Sequence, residues 1–135
     1  MALERDEKGV EKVRFALGGI TIAGEVHVPE SYGKLLLPSL IICHGIPATR
    51  TVFDDRGYHQ LAERFAAAGF LTMIFNFRGT GESGGNFDIL GWMDDLSASV
   101  HFFVNNHDVD IDRLSLMGFS GGAAVSICLA AEDRR

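Results

Sequence analysis

Near its C-terminal end the 135-residue chain reads Gly118-Phe119-Ser120-Gly121-Gly122, directly after the apolar run Leu114-Ser115-Leu116-Met117. A G-x-S-x-G pentapeptide between an apolar strand and a small-residue helix demands a sharp strand-to-helix turn, with the serine hydroxyl pushed into solvent. The flanking glycines follow from the same geometry, because a Cβ would clash where strand and helix approach each other. A turn of this kind restricts the chain to folds in which a buried strand runs straight into a helix. Thirteen residues follow Gly122, room for that helix and nothing more.

The rest of the sequence agrees with an alternating α/β architecture. Val13, Phe15 and Leu17 alternate with other residues, Gly18-Gly19 intervenes, and Ile20, Ile22, Val26 and Val28 alternate again. Two period-2 runs around Gly-Gly predict an antiparallel hairpin with one buried face, ended by Pro29, Ser31 and Gly33. Leu35 to Cys43 is almost continuously apolar, as expected of a parallel-sheet strand buried on both faces. Tyr58, Leu61, Ala62, Phe65 and Ala68 recur at helical spacing, and Gly69 supplies a stop. Leu71 to Phe77 predicts the next buried strand, and Gly79 to Gly85 a glycine-rich loop. Ile89, Met93, Leu96, Val100 and Phe103 mark one face of a long helix ending near Asn105-Asn106. Ile111 to Phe119 predicts a last strand, and Gly121 to Glu132 a last helix. The order is β-β-β-α-β-α-β-α: a hairpin followed by βαβαβα, mostly parallel, with helices on both faces. In such sheets ligands bind at the carboxyl ends of the strands. His44, Arg78 and Ser120 all fall at that end.

Composition narrows the function classes. A length of 135 residues allows one domain with a real core, spanning residues 1–135 with residues 1–9 expected to be flexible. The net charge of −6 argues against nucleic acid or an anionic membrane surface as partner. Cys43 and Cys128, the only cysteines, lie in apolar runs outside any metal-ligand spacing and are expected to be reduced core residues of a cytoplasmic protein. Met1 to Lys8 lacks an apolar core of the kind a secretory signal needs. His27, His59, His101 and His107 are read as ordinary surface or core histidines. No cofactor and no metal is expected.

Three strand ends carry the chemistry: His44-Gly45-Ile46-Pro47, the loop Asn76-Phe77-Arg78-Gly79-Thr80-Gly81-Glu82-Ser83-Gly84-Gly85, and the serine turn. In this order and spacing they resemble the N-terminal half of the α/β-hydrolase fold, closest to its esterase-, thioesterase- and acyl-peptidase-like members. The resemblance extends from about Val13 onward. It implies a sheet order of 1-2-4-3-5, with Ser120 as nucleophile and the backbone N–H groups of Gly121 and Ile46 as an oxyanion hole. His44 and Gly45, Arg78, and Gly118 and Gly122 are implied to support the loops. Asn76 stands where family members often carry Asp. Gly79, Gly81 and Gly84 also satisfy G-x-G-x-x-G, but the acid that a dinucleotide fingerprint needs at the end of the next strand is absent.

The implied activity is acyl transfer to water from a small ester, thioester or amide through a Ser120 acyl-enzyme. In the family the chain order is Ser, then Asp or Glu, then His, and no histidine follows Ser120. Glu132 and Asp133 end a helix directed away from the serine. The chain therefore reads as a truncated hydrolase whose activity in isolation is uncertain, or as a non-catalytic binding or assembly scaffold. With no sixth strand, Leu114–Phe119 becomes an apolar sheet edge. Homo-oligomerisation, or pairing with a separate C-terminal half, is expected through that edge.

Overall fold

A computed structural model describes residues 4–47 and 57–135. Nine short elements follow in chain order: β1 (Val10–Leu17), β2 (Ile20–His27), β3 (Ser39–Cys43), α1 (Tyr58–Ala67), β4 (Leu71–Phe75), α2 (Ile89–Asn106), a 3₁₀ turn (Ile111–Arg113), β5 (Leu114–Gly118) and α3 (Gly121–Glu132). The strands form one sheet in the order β1-β2-β4-β3-β5. β1 and β2 are antiparallel, β2 joins β4 antiparallel, and β3 runs parallel to both β4 and β5. The sheet order expected from the motifs is the order observed. Among the described residues, no helix is long and apolar enough to cross a membrane.

The hairpin closes through Leu17 opposite Ile20, a two-residue loop in which Gly18 has φ +59° while Gly19 stays out of the left-handed region. A positive φ at the first loop residue alone is the requirement of a II′ turn, whose twist matches that of the strands. Residues 5–9 form a turn tied to the sheet. The Asp6 carboxylate accepts the N–H groups of Lys8 and Val10 at 2.9 Å each, and Val28 N–H donates to Gly9 O at 2.8 Å.

Two strands begin later than their apolar runs. The run from Leu35 to Cys43 is a strand only from Ser39 onward. Pro38 has no N–H to give a ladder; its carbonyl accepts from Leu71 N–H, and Leu35 and Leu36 lie exposed. Likewise Ile111–Arg113 turns as 3₁₀ before β5, because the Asp110 side chain captures the N–H of Asp112 and pairs with Arg113 at 2.7 Å. The hairpin also differs from its reading in burial. The second half of β2 is buried on both faces, since β2 lies between β1 and β4 and is covered in part by α1.

The larger core lies between the sheet and α2 and α3. It gathers Ile22, Val26, Ile41, Met73, Phe75, Phe77, Trp92, Leu96, Phe103, Val125 and Leu129. The smaller core, Leu40, Ile42, Ala62 and Ile74, lies beneath α1 on the opposite face. Alternate residues of β3 and β4 thus point into different cores, which is why both strands read as unbroken apolar runs. Cys43 is buried, as expected; Cys128 is exposed on α3, contrary to its reading as a core residue. An apolar run on a helix one turn from its end need not face inward on every side, and Val125 and Leu129 take the inward positions.

Candidate active site

Strand register places the site. Cys43 is opposite Phe75 on one side and Gly118 on the other, so β3, β4 and β5 end level with one another. The chain segments after all three strands therefore leave the sheet on one rim. Phe119 N–H donates back to Cys43 O at 3.0 Å, which ties the turn after β5 to the end of β3.

On that turn Ser120 has φ +52° and ψ −118° and is exposed; it is the one non-glycine with positive φ among the described residues. A serine persists in such a backbone region only where its surroundings over-determine it. They do so here through close packing. A Cβ added to Gly118 would lie 2.5 Å from the Cα of Ala123, and one added to Gly122 would meet the carbonyl oxygens of Cys43 and His44. α3 then starts at once: Gly122 N–H donates to Phe119 O, and the N–H groups of Ala123 and Ala124 to Ser120 O, at 3.0–3.1 Å. As the first helical residue, Gly121 has an N–H with no acceptor four residues back in the helix. Ile46 stands across from it: a Cβ on Gly121 would sit 3.0 Å from Ile46 Cγ1. Gly121 and Ile46 are thus neighbours at the positive end of α3.

His44 is buried, and both ring nitrogens are engaged. Nε2 accepts the N–H of Phe77 at 3.1 Å, so the ring proton sits on Nδ1, which donates to Gly45 O at 2.7 Å. The Thr80 hydroxyl donates to Phe77 O at 2.7 Å while lying 3.2 Å from Nε2. Trp92, Phe77 and Tyr58 surround the ring, with centroids 5.1–6.0 Å away. This imidazole joins the β3 loop to the β4 loop, and no lone pair is left to take a proton from a serine.

Arg78 is held by Asp95 on α2. The Asp95 carboxylate is fully buried; Oδ2 accepts the backbone N–H of Arg78 at 2.8 Å, and Oδ1 accepts Nε and Nη2 at 3.0 and 2.8 Å. These bonds keep the guanidinium more firmly protonated than an ordinary arginine. Trp92 Nε1–H adds a bond to Arg78 O at 3.2 Å. The side chain lies over Gly91, where a Cβ would strike the guanidinium carbon. Asn76, in the position where the resemblance implies Asp, accepts Glu82 N–H on Oδ1 at 3.3 Å, and its carbonyl accepts the Ser83 hydroxyl at 2.6 Å. Gly79, Gly81, Gly84 and Gly85 thus belong to a loop folded on its own side chains.

Two residues of the site were not singled out in the sequence. Asp95 falls at helical spacing from Trp92 and Ser99 on the buried face of α2, and a charge on an apolar face is itself a signal that a partner exists. Tyr58 counted only as an apolar position of α1. Its hydroxyl accepts Gly45 N–H at 3.2 Å, and its ring packs edge-on against Phe119 at 5.6 Å. Spacing carries no trace of that contact, because Gly45 lies thirteen residues away.

Residues 38–135 match the family described as serine aminopeptidase, S33. An uncharacterized protein of Pseudomonas aeruginosa is 32% identical over 129 residues, covering 92% of this chain and 34% of that protein. A thiohydrolase of Eupenicillium brefeldianum is 29% identical over 123 residues, covering 88% of this chain and 37% of its own length. The chain thus spans little more than a third of these relatives. Among solved structures, a lid-less α/β serine hydrolase from Xanthomonas campestris superposes with a TM-score of 0.74 at 26% identity, over 95% of this chain and 58% of that one. With the sheet order, the level strand ends and the strained serine turn, these likenesses show that the chain belongs to the serine aminopeptidase S33 family of α/β hydrolases.

Proposed function

We propose that Ser120 is the nucleophile of an acyl-transfer site acting on a small ester, thioester or amide. One observation carries the reading: an exposed serine held at φ +52° on the turn into α3, beside the Ile46 loop. In the proposed reaction Ser120 Oγ attacks the substrate carbonyl carbon as its proton passes to a general base. The carbonyl electron pair moves to oxygen, which the N–H groups of Gly121 and Ile46 receive. Collapse expels the alcohol, thiol or amine with a proton from the general base, and water then releases the acyl group from the serine. Fixed backbone donors suit this task because they need not reorganise as charge develops; one such donor is worth about 10²–10³ in kcat.

The reaction needs a base within reach of Ser120. His44 is committed to loop bonding, and residues 121–135 contain no histidine. The reading therefore assigns the triad acid and base to polypeptide outside residues 1–135, in the family order of Ser, acid, His. The thiohydrolase relative favours a thioester within the substrate class. The same lack of a base supports a second reading, a binding scaffold on this fold with an inert serine.

A fluorophosphonate probe separates the two. Rapid, stoichiometric labelling read by intact mass, and lost in Ser120→Ala, is the outcome expected of an activated nucleophile. In the folded protein extended through the polypeptide that supplies the acid and base, absence of labelling overturns the catalytic reading and leaves the scaffold.

A further inference from the structure

On the sheet face that carries α1, away from the serine turn, three side chains that looked unrelated in sequence converge. Glu25 and His27 are two residues apart on β2 and so point to the same face. The first turn of α1 delivers His59 to the same place. Glu25 Oε2 lies 3.0 Å from His27 Nε2 and 2.8 Å from His59 Nδ1, and the three atoms all fall within 4.8 Å of one another. Glu25 and His27 are buried, and the His59 side chain is 31% exposed.

We propose that Glu25, His27 and His59 form a binding site for one divalent transition-metal ion of the zinc, cobalt or nickel class. Two imidazoles and a carboxylate are a borderline donor set that suits these ions over magnesium or calcium. Spacing supports it. Ligand atoms about 2.0–2.2 Å from a metal at angles near 90–110° lie roughly 2.8–3.5 Å apart, and both distances from Glu25 are already in that range. A ligating histidine usually gives its other ring N–H to a carboxylate; Glu63 Oε2, one turn along α1, is 3.9 Å from His59 Nε2. An open cleft of about 580 Å³, lined by Lys8, His27, Val28, Pro29 and Glu63 among others, borders the group at His27 and offers an ion an approach from solvent.

The proton balance is simple. As hydrogen-bond donors to Glu25, His27 carries its proton on Nε2 and His59 on Nδ1. Metal binding requires those lone pairs, so each imidazole keeps one proton on its opposite ring nitrogen, while Glu25 enters as carboxylate. The ion would pin the first turn of α1 to β2. Tyr58, which holds Gly45 N–H, lies in that turn, so occupancy would steady the loop that carries Ile46.

The test uses tag-free, chelator-stripped protein in a Cys128→Ser background, which removes the exposed thiol as a competing ligand. Cobalt(II) titration followed by visible d–d absorption, zinc titration by calorimetry, and Tm against zinc concentration are the readouts. The expected result is saturation at one equivalent, a Tm that climbs with zinc concentration, and weakening by at least about 100-fold in His59→Ala and in Glu25→Gln, beyond the 10–100-fold typical of losing an outer-shell partner. Absence of saturable cobalt or zinc binding overturns the proposal. So does a His59→Ala protein that binds as tightly as its parent; that substitution is on a half-exposed helical position, so its folding is secure even if Glu25→Gln unfolds.

Discussion

At the scale of single residues, burial decides reactivity more than residue type does. Loss of hydration inside the core pushes the Cys43 thiol up to about 12, only partly offset by the nearby Ser126 hydroxyl, whereas Cys128 is exposed on α3. The thiolate is the reactive form, so a disulfide reagent titrates one thiol in the native protein and two after denaturation; Cys128→Ser leaves none in the native state, and a native count of two would contradict the burial of Cys43. Glu25 shows the opposite balance. Burial alone would raise its carboxyl, but hydrogen bonds from His27 and His59 outweigh it and hold it below the ordinary glutamate value. A depressed folded-state value stabilises the fold above the unfolded value and loses that contribution as pH falls toward the folded one. In chelator, the urea midpoint of the wild type should therefore drop more steeply than that of Glu25→Gln as pH falls through and below the usual glutamate range. Parallel pH profiles would contradict this balance at Glu25.

At the scale of elements, the serine turn depends on backbone meeting backbone. At Gly122 an added Cβ would press on the carbonyls of Cys43 and His44, and at Gly118 on the backbone of Ala123; no flexible side chain is there to yield. Gly122→Ala is expected to cost about 1–3 kcal/mol in chemical denaturation, the range for overpacking a tight site, and to lower fluorophosphonate labelling if the turn opens. An unchanged midpoint would mean that β3 and α3 separate more easily than their contacts imply. Both glycines were legible from the pentapeptide, because a strand-to-helix turn this sharp has few solutions. The brace between Arg78 and Asp95 was half legible. Arg78 was placed on the rim with a bracing role, but its partner lies seventeen residues away on α2, and spacing does not say which acid a distant arginine will find.

At the scale of the whole molecule, β5 is the last strand of the sheet and only partly buried, although Leu114 and Leu116 pack on the larger core. Leu114, Leu116, Ile127 and Leu129 line an adjoining apolar cavity of about 260 Å³. A sheet edge beside apolar surface invites pairing. Light scattering after gel filtration is expected to give a mass that rises with concentration above the 14.7 kDa of one chain. A constant single-chain mass across that range would remove self-association through this edge.

Sequence alone determined the order of strands and helices, the sheet order implied by the motif resemblance, and the meeting of His44, Arg78 and Ser120 on one rim. These follow from local causes: side-chain periodicity, glycine and proline punctuation, and the level ends of parallel strands. Tertiary structure decided which face each side chain meets across the fold. It turned Cys128 outward, gave Tyr58 to Gly45, paired Arg78 with Asp95 and brought His59 to Glu25 and His27. Each of those contacts joins segments far apart in sequence, and their positions are set by packing against the sheet rather than by any preference of the local chain.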